Sequence, residues 1–156
     1  MLKLNNTVLD ISLANDNNEQ VKMRDYLGKY VVLYFYPKDD TPGCTVEACS
    51  FRDANDEITK LGVKILGVSK DTVAMHVKFK EKYHLNFDLL ADTETKLNEA
   101  FGVWQEKSFM GRKFMGTVRT TFIIDPQGNI VKRYDKVKPK GHSEEVLADL
   151  KELVKA

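Results

Sequence analysis

Tyr30-Val31-Val32-Leu33-Tyr34-Phe35-Tyr36-Pro37-Lys38-Asp39-Asp40-Thr41-Pro42-Gly43-Cys44-Thr45-Val46-Glu47-Ala48-Cys49-Ser50-Phe51-Arg52-Asp53 carries the sharpest change of pattern in the chain. Its opening run, residues 30–36, is apolar and rich in β-branched and aromatic types, with no polar alternation. That pattern suits a strand covered on both faces. Thr41-Pro42-Gly43 breaks the run, and a helical pattern follows from about Cys44 to Leu61, stopped by Gly62. A buried strand, a turn and a helix therefore meet at a cysteine.

Outward from this segment, β and α patterns alternate. Val63–Ser69 reads as a second buried strand, and Asp71 or Thr72 can cap a helix running to about Tyr83. A short strand near Phe87–Leu90 and a helix from about Thr93 to Phe101 follow. Arg119–Asp125 and Ile130–Tyr134 flank Asp125-Pro126-Gln127-Gly128, a turn with Pro at its second position, so they are expected to pair as a hairpin. A last helix, about Ser143 to Val154, carries Val146, Leu147, Leu150, Leu153 and Val154 at helical spacing. Upstream, residues 7–23 read as an N-terminal β-hairpin, with Val8, Leu9, Ile11 and Leu13 on one arm, Val21 and Met23 on the other, and Asn15-Asp16-Asn17-Asn18 as the turn. The fold class is α/β: a mixed central sheet with helices on both faces.

The chain has 156 residues, 42% of them hydrophobic, enough to enclose one core. No repeat, low-complexity tract or linker divides it, so residues 1–156 are expected to form a single domain. Lys and Arg number 24 against 23 Asp and Glu, a formal charge of +1. Binding nucleic acid through phosphates asks for a marked basic excess, so this balance argues against it. The charges alternate in sign, leaving no polybasic membrane anchor, and no apolar run approaches the length of a bilayer span. The start, Met1-Leu2-Lys3-Leu4-Asn5-Asn6, lacks the apolar stretch of a secretory signal, so a reducing, cytoplasmic setting is the expectation.

In that setting two cysteines close together, Cys44 and Cys49, point to reactivity rather than to a scaffold. The first turn of a helix presents unpaired N–H groups and the positive end of the dipole, which favour a thiolate at Cys44. A free thiol of pKa ~8.5 is about 3% ionised at neutral pH, so complete ionisation raises the reactive fraction by no more than roughly 30-fold. A larger advantage has to come from the displacement itself. When a thiolate attacks an O–O bond, charge moves onto the departing oxygen, and donors aimed there lower the barrier. Thr41 offers a hydroxyl at the rim of the turn. Of the five arginines, Arg119 is preferred as a forked, permanently charged donor, because it stands at the mouth of a buried strand among Thr117, Thr120 and Thr121.

Cys49 lies five residues beyond Cys44. On a regular helix that spacing is about 140° around the axis and roughly 8–9 Å between Cα atoms. A disulfide tolerates about 7 Å. A bond between the two would therefore require the helix to unwind locally.

Pro37-x-x-x-Thr41-x-x-Cys44, with the fuller Thr41-Pro42-Gly43-Cys44-Thr45-x-Glu47-Ala48-Cys49-x-Phe51-Arg52-Asp53, resembles the active-site signature of peroxiredoxins, most closely the bacterioferritin comigratory protein or peroxiredoxin Q branch. The likeness continues through Phe101-Gly102-Val103-Trp104-x-Glu106-Lys107, Gly111 and Arg119-x-Thr121-Phe122-Ile123-Ile124-Asp125, nearly the whole chain. This resemblance implies a thioredoxin-like fold and a thiol peroxidase without metal, haem or flavin. Cys44 would be the peroxidatic cysteine and Cys49 the resolving one, joined within one chain. Pro37 would shield the thiolate, Thr41 and Arg119 would bind and polarise the hydroperoxide, and Glu47 would help orient the arginine. Thioredoxin or a similar dithiol would restore the thiols. The resemblance further implies a monomer, and no exposed apolar stripe is evident.

Simpler readings compete at several positions. Cys44 or Cys49 could be core residues, Glu47 could do no more than complement the helix dipole, and Pro37 and Pro42 could merely end a strand and open a helix. His76, His84 and His142 are too scattered for a zinc site and are expected at the surface. Phe109 and Phe114 could form an apolar collar over the pocket. The rival from another class is a non-catalytic redox sensor or chaperone that oxidises slowly, separable from an enzyme by repeated turnover.

Overall fold

The computed structural model describes residues 2–155; Met1 and Ala156, the ends of the expected single unit, lie outside the described residues. Among the described residues there are ten strands and five helices, and outside β7 and β8 they keep the alternation read from the sequence. The strands are β1 (Leu2–Lys3), β2 (Ser12–Asn15), β3 (Gln20–Lys22), β4 (Tyr30–Phe35), β5 (Val63–Ser69), β6 (Asp88–Ala91), β7 (Trp104–Phe109), β8 (Arg112–Thr117), β9 (Thr120–Ile124) and β10 (Asn129–Tyr134). The helices are α1 (Asn6–Leu9), α2 (Pro42–Lys60), α3 (Val73–Tyr83), α4 (Lys96–Ala100) and α5 (His142–Lys155).

Eight strands form one mixed sheet in the order β1-β10-β9-β4-β5-β6-β2-β3. β4, β5 and β6 run parallel, while β9 runs antiparallel to β4. Burial on both faces explains the unbroken apolar run of β4. Val32, Tyr34 and Tyr36 face α2, α5 and Phe79 of α3, whereas Val31, Leu33 and Phe35 face the side closed by α1, α4 and Leu4. Helices thus cover both faces.

The N-terminal hairpin is real but shorter than expected. β2 and β3 pair with Leu13 opposite Val21. Val8 and Leu9 instead lie in α1, because the Asn5 side chain accepts from the Val8 amide and starts a helical turn. Met23 opens a 3-10 turn rather than extending β3. α4 is also shorter than its pattern suggests. The buried Asp92 carboxylate takes the amides of Leu97 and Asn98, which sets the helix start later than Thr93.

The hairpin β7–β8 has no counterpart in the sequence reading. Its turn, Met110-Gly111, places both residues at positive φ (52° and 79°), the backbone of a tight type I′ hairpin. Phe109 and Met110 at its tip are 67% and 88% exposed, and Phe114 and Met115 are exposed beside them. This exposed apolar tip departs from the expectation that none would be present.

Candidate active site

The topology itself gathers the expected site residues. Because β9 is antiparallel to β4 with Phe35 opposite Thr120, the end of β4 and the start of β9 lie side by side. The segment leaving β4 therefore meets Arg119 at the same end of the sheet. This is the carboxyl end of the parallel strands, where α/β sheets commonly hold their sites. Pairing of the Val137 amide with the Arg119 carbonyl (2.9 Å) fixes the arginine backbone.

Thr41 is the N-cap residue of α2, Pro42 occupies its first position, and Cys44 stands in the first turn. Pro suits that position because its fixed φ is helical and its missing N–H would have had no partner there. The Thr45 amide closes the first helical bond to Thr41 O at 2.8 Å. The amides of Gly43 and Cys44 fall among the donors that every helix start leaves without an intrahelical partner. Cys44, Glu47, Ala48, Phe51 and Ile58 form the buried stripe of α2, and Cys49 falls off it, half-buried. Both thiols are free and the helix runs unbroken through them, the geometry of a reduced pair.

Cys44 is 1% exposed. Arg119 donates from Nη2 to Cys44 Sγ at 3.4 Å and from Nη1 to Glu47 Oε1 at 2.8 Å. One planar fork thus spans the sulfur and a carboxylate one turn further along the same helix. The Arg119 side chain is 16% exposed and that of Glu47 is fully buried. Gly43 makes the approach possible: a Cβ there would sit 3.2 Å from Arg119 Nη2.

Burial pushes the Glu47 carboxyl up to about 7, against the opposing charge and hydrogen bond of Arg119. Its Oε2 has no hydrogen-bond partner among the described residues, nor has the buried Tyr34 hydroxyl. Tyr34 forms the floor of this region. It stacks on Phe51 with ring centroids 4.8 Å apart and lies over Gly67 of β5, where a Cβ would come within 3.0 Å of the hydroxyl. Burial raises the Tyr34 hydroxyl pKa well above its ordinary value, and the charges of Glu47, Asp39 and Cys44 add to the effect. Burial disfavours the Arg119 charge, yet Glu47 and Cys44 more than offset this and hold its pKa above the ordinary value.

Thr41 stands at the rim, but its hydroxyl donates to the Lys38 carbonyl at 2.8 Å. Its proton is engaged, so it can face an incoming hydroperoxide as an acceptor rather than as the donor expected from the sequence. Pro37 is half-buried between the end of β4 and this rim. Arg119 and Glu47 therefore meet at Cys44, Thr41 caps the same helix, and Cys49 lies five residues further along it.

Two groups escaped the sequence reading. Lys107 of β7 donates to the Thr117 carbonyl at 3.0 Å. Burial and the like charge of Arg119 lower its pKa, and the charge of Cys44 opposes them. The second group is a buried network next to Pro37. His76 and His142 are buried, against the expectation that all three histidines lie at the surface; only His84 is exposed. The signal was present: His76 shares a helical stripe with Phe79 and Tyr83, and His142 shares one with Val146 and Leu150.

Asp39, Asp71 and His76 bring three potential metal-ligand atoms within 4.8 Å of one another. Every one of those atoms already has a partner. Asp39 Oδ1 accepts from Tyr36 OH (2.5 Å) and Oδ2 meets His76 Nδ1 (2.6 Å), while Asp71 Oδ2 takes the Asp39 amide (2.8 Å) and Ser69 Oγ (2.5 Å). Such saturation suits a structural network rather than a metal centre.

A mixed sheet of this order, with a cysteine at the start of a helix beneath an arginine fork, defines a thioredoxin-fold thiol peroxidase. Residues 4–133 match the model of the AhpC/TSA family, and the chain belongs to that family. It is 52% identical over 144 residues to peroxiredoxin Bcp of Bacillus subtilis, covering 92% of each chain. To peroxiredoxin Bcp of Escherichia coli K12 it is 46% identical over 151 residues, covering 97% of each. The solved structure of Xanthomonas campestris bacterioferritin comigratory protein, studied for its alkyl peroxide reduction activity, superposes with a TM-score of 0.94 at 40% identity over 99% of this chain and 98% of that one. The expected family and fold class are those found, and the chain is a peroxiredoxin enzyme rather than a passive sensor. Among the described residues no helix is long and apolar enough to cross a membrane.

Proposed function

We propose that this chain, acting as a single domain over residues 1–156, reduces hydrogen peroxide and organic hydroperoxides by a cycle in which Cys44 is the peroxidatic and Cys49 the resolving cysteine. The Cys44 thiolate attacks the terminal oxygen of ROOH. The O–O bond breaks, Cys44 becomes a sulfenic acid, and the expelled RO⁻ takes up the proton that Cys44 released on ionising and leaves as ROH. Cys49 then attacks that sulfur, and the expelled hydroxide leaves as water with the proton of the Cys49 thiol, closing a disulfide within the chain. A dithiol reductant, thioredoxin by analogy with the family, exchanges with the disulfide and returns both thiols.

The observation that carries this reading is the Arg119 fork, 3.4 Å from Cys44 Sγ and 2.8 Å from Glu47. It holds a fixed positive charge where negative charge moves during O–O cleavage, at no cost of rearrangement during the reaction. Glu47 keeps the fork aimed. Thr41 accepts from the hydroperoxide O–H, and half-buried Pro37 keeps water from the sulfur. A cytoplasmic, monomeric enzyme that needs neither nucleic acid nor membrane accords with the near-neutral charge.

The test is turnover with thioredoxin, its reductase and NADPH. Cys44→Ser is expected to consume no peroxide. Cys49→Ser is expected to undergo one rapid oxidation and then stall. Normal turnover by Cys49→Ser would overturn the resolving role.

A further inference from the structure

We propose that His76, as a doubly bonded imidazolium, is a positioning residue that clamps the segment bearing Pro37 and Thr41 to α3. This rests on the peroxidase reading above, since that segment forms the rim over Cys44.

His76 is completely buried in α3, thirty-two residues beyond the reactive cysteine, and both of its ring nitrogens bond to groups other than the cysteines. Its Nδ1 meets Asp39 Oδ2 at 2.6 Å and its Nε2 meets the Leu90 carbonyl at 2.9 Å. A carbonyl only accepts and a carboxylate only accepts, so satisfying both requires a proton on each ring nitrogen. The groups facing the ring are Asp39 and Tyr36 after β4, Asp71 after β5 and the Leu90 carbonyl of β6. Burial draws the His76 pKa down, but the hydrogen bond and charge of Asp39, the Leu90 carbonyl and the charge of Asp71 outweigh it, so the pKa stands above 6.5.

The clamp acts on the segment through consecutive residues. Asp39 is held by His76, by Tyr36 and through its own amide by Asp71. Asp40 is held by Lys82 Nζ (2.8 Å) and Tyr83 OH (2.7 Å), both of α3. Asp40 has φ 57°, a conformation that L side chains rarely adopt, and Thr41 follows immediately. The fastening lies on the sheet, α3 and the connection between β5 and α3, outside α2. When the first turns of α2 unwind to let Cys44 reach Cys49, the rim stays where the next peroxide needs it. Loss of one imidazolium proton leaves a ring that can serve only one acceptor, and the rim loosens.

Two measurements test this. First, nitrogen NMR of the reduced wild-type protein at neutral pH is expected to show protons on both His76 ring nitrogens; an unprotonated nitrogen there overturns the proposal. Second, the rate of Cys44 oxidation under limiting hydrogen peroxide is compared with the rate of Cys44 alkylation by iodoacetamide. Wild type, His76→Asn and His76→Gln are followed between about pH 6 and 9. Misplaced reacting groups cost on the order of 10- to 100-fold. The variants are expected to lose that much in peroxide oxidation at neutral pH, with alkylation altered by less than about 2-fold. Wild type is expected to slow toward the variants' rate as pH rises through the His76 value. Equal losses in both reactions, or variants as fast as wild type, overturn the role of His76. A wild-type Cys44 inert toward peroxide overturns the site assignment itself.

Discussion

Replacing Glu47 by Gln separates stability from activity at this site. The substitution keeps shape and an acceptor for Arg119 Nη1 but removes the ionisable proton. The folded Glu47 carboxyl stands at about 7 against an ordinary 4.5, because burial outweighs the pull of Arg119. At 1.36 kcal/mol per pH unit, ionising it in the folded protein costs about 3 kcal/mol more than in the unfolded chain. A raised pKa means that the folded state holds its proton longer. Stability attributable to this group is therefore full below pH 4.5 and is lost as pH rises to about 7. Gln resembles the protonated acid. Urea unfolding of Glu47→Gln is expected to match wild type near pH 4.5 and to exceed it by up to about 3 kcal/mol above pH 7. Above pH 7, where wild-type Glu47 is ionised, peroxide oxidation of Cys44 should nevertheless slow in the variant, because the fork loses its charged anchor. A stability difference that does not vary with pH, or a variant less stable than wild type at neutral pH, would refute the reasoning.

Three further outcomes follow from the same geometry. Gly43→Ala places a Cβ 3.2 Å from Arg119 Nη2 without backbone strain, so the fork shifts by a few tenths of an ångström. Stopped-flow oxidation should slow roughly 3- to 10-fold while the melting temperature changes little. Arg119→Ala should slow the same step on the order of 100-fold or more. Arg119→Lys should recover only a small part of that loss, because one ammonium cannot span Sγ and Glu47 together. Amide exchange in residues 42–52 should accelerate when the protein is oxidised, because a regular helix holds the two cysteines too far apart to bond. Unchanged protection there would mean that the pair never joins.

The most legible elements were those whose pattern is set locally. The strand ending at Phe35 declares itself by a continuous apolar run and Val63–Ser69 by a largely apolar one broken by Lys64, and Thr41-Pro42-Gly43 marks the start of α2. What escaped depends on distant partners or on weak local signals. β7 and β8 expose most of their side chains, so no hydrophobic period marks them, and Met110-Gly111 lacks the Asn-Gly or Asp-Gly signature of such turns. At the site, both cysteines, Thr41 and Pro37 could be placed from one motif. Arg119 could be chosen only weakly from its position before a buried strand, and the antiparallel pairing of β9 with β4 supplies the reason. The burial of Glu47 follows from the stripe it shares with Cys44 and Phe51, whereas its raised pKa depends on the packed interior around it. His76 met Asp39 only once two parallel crossovers had brought them together.

Adding one equivalent of hydrogen peroxide to the reduced protein and counting thiols tests the central chemistry most directly. Both Cys44 and Cys49 thiols are expected to disappear for each peroxide consumed, with the mass falling by two hydrogens and the chain migrating as a monomer without reductant. Retention of both thiols, or a disulfide that links two chains, would contradict it.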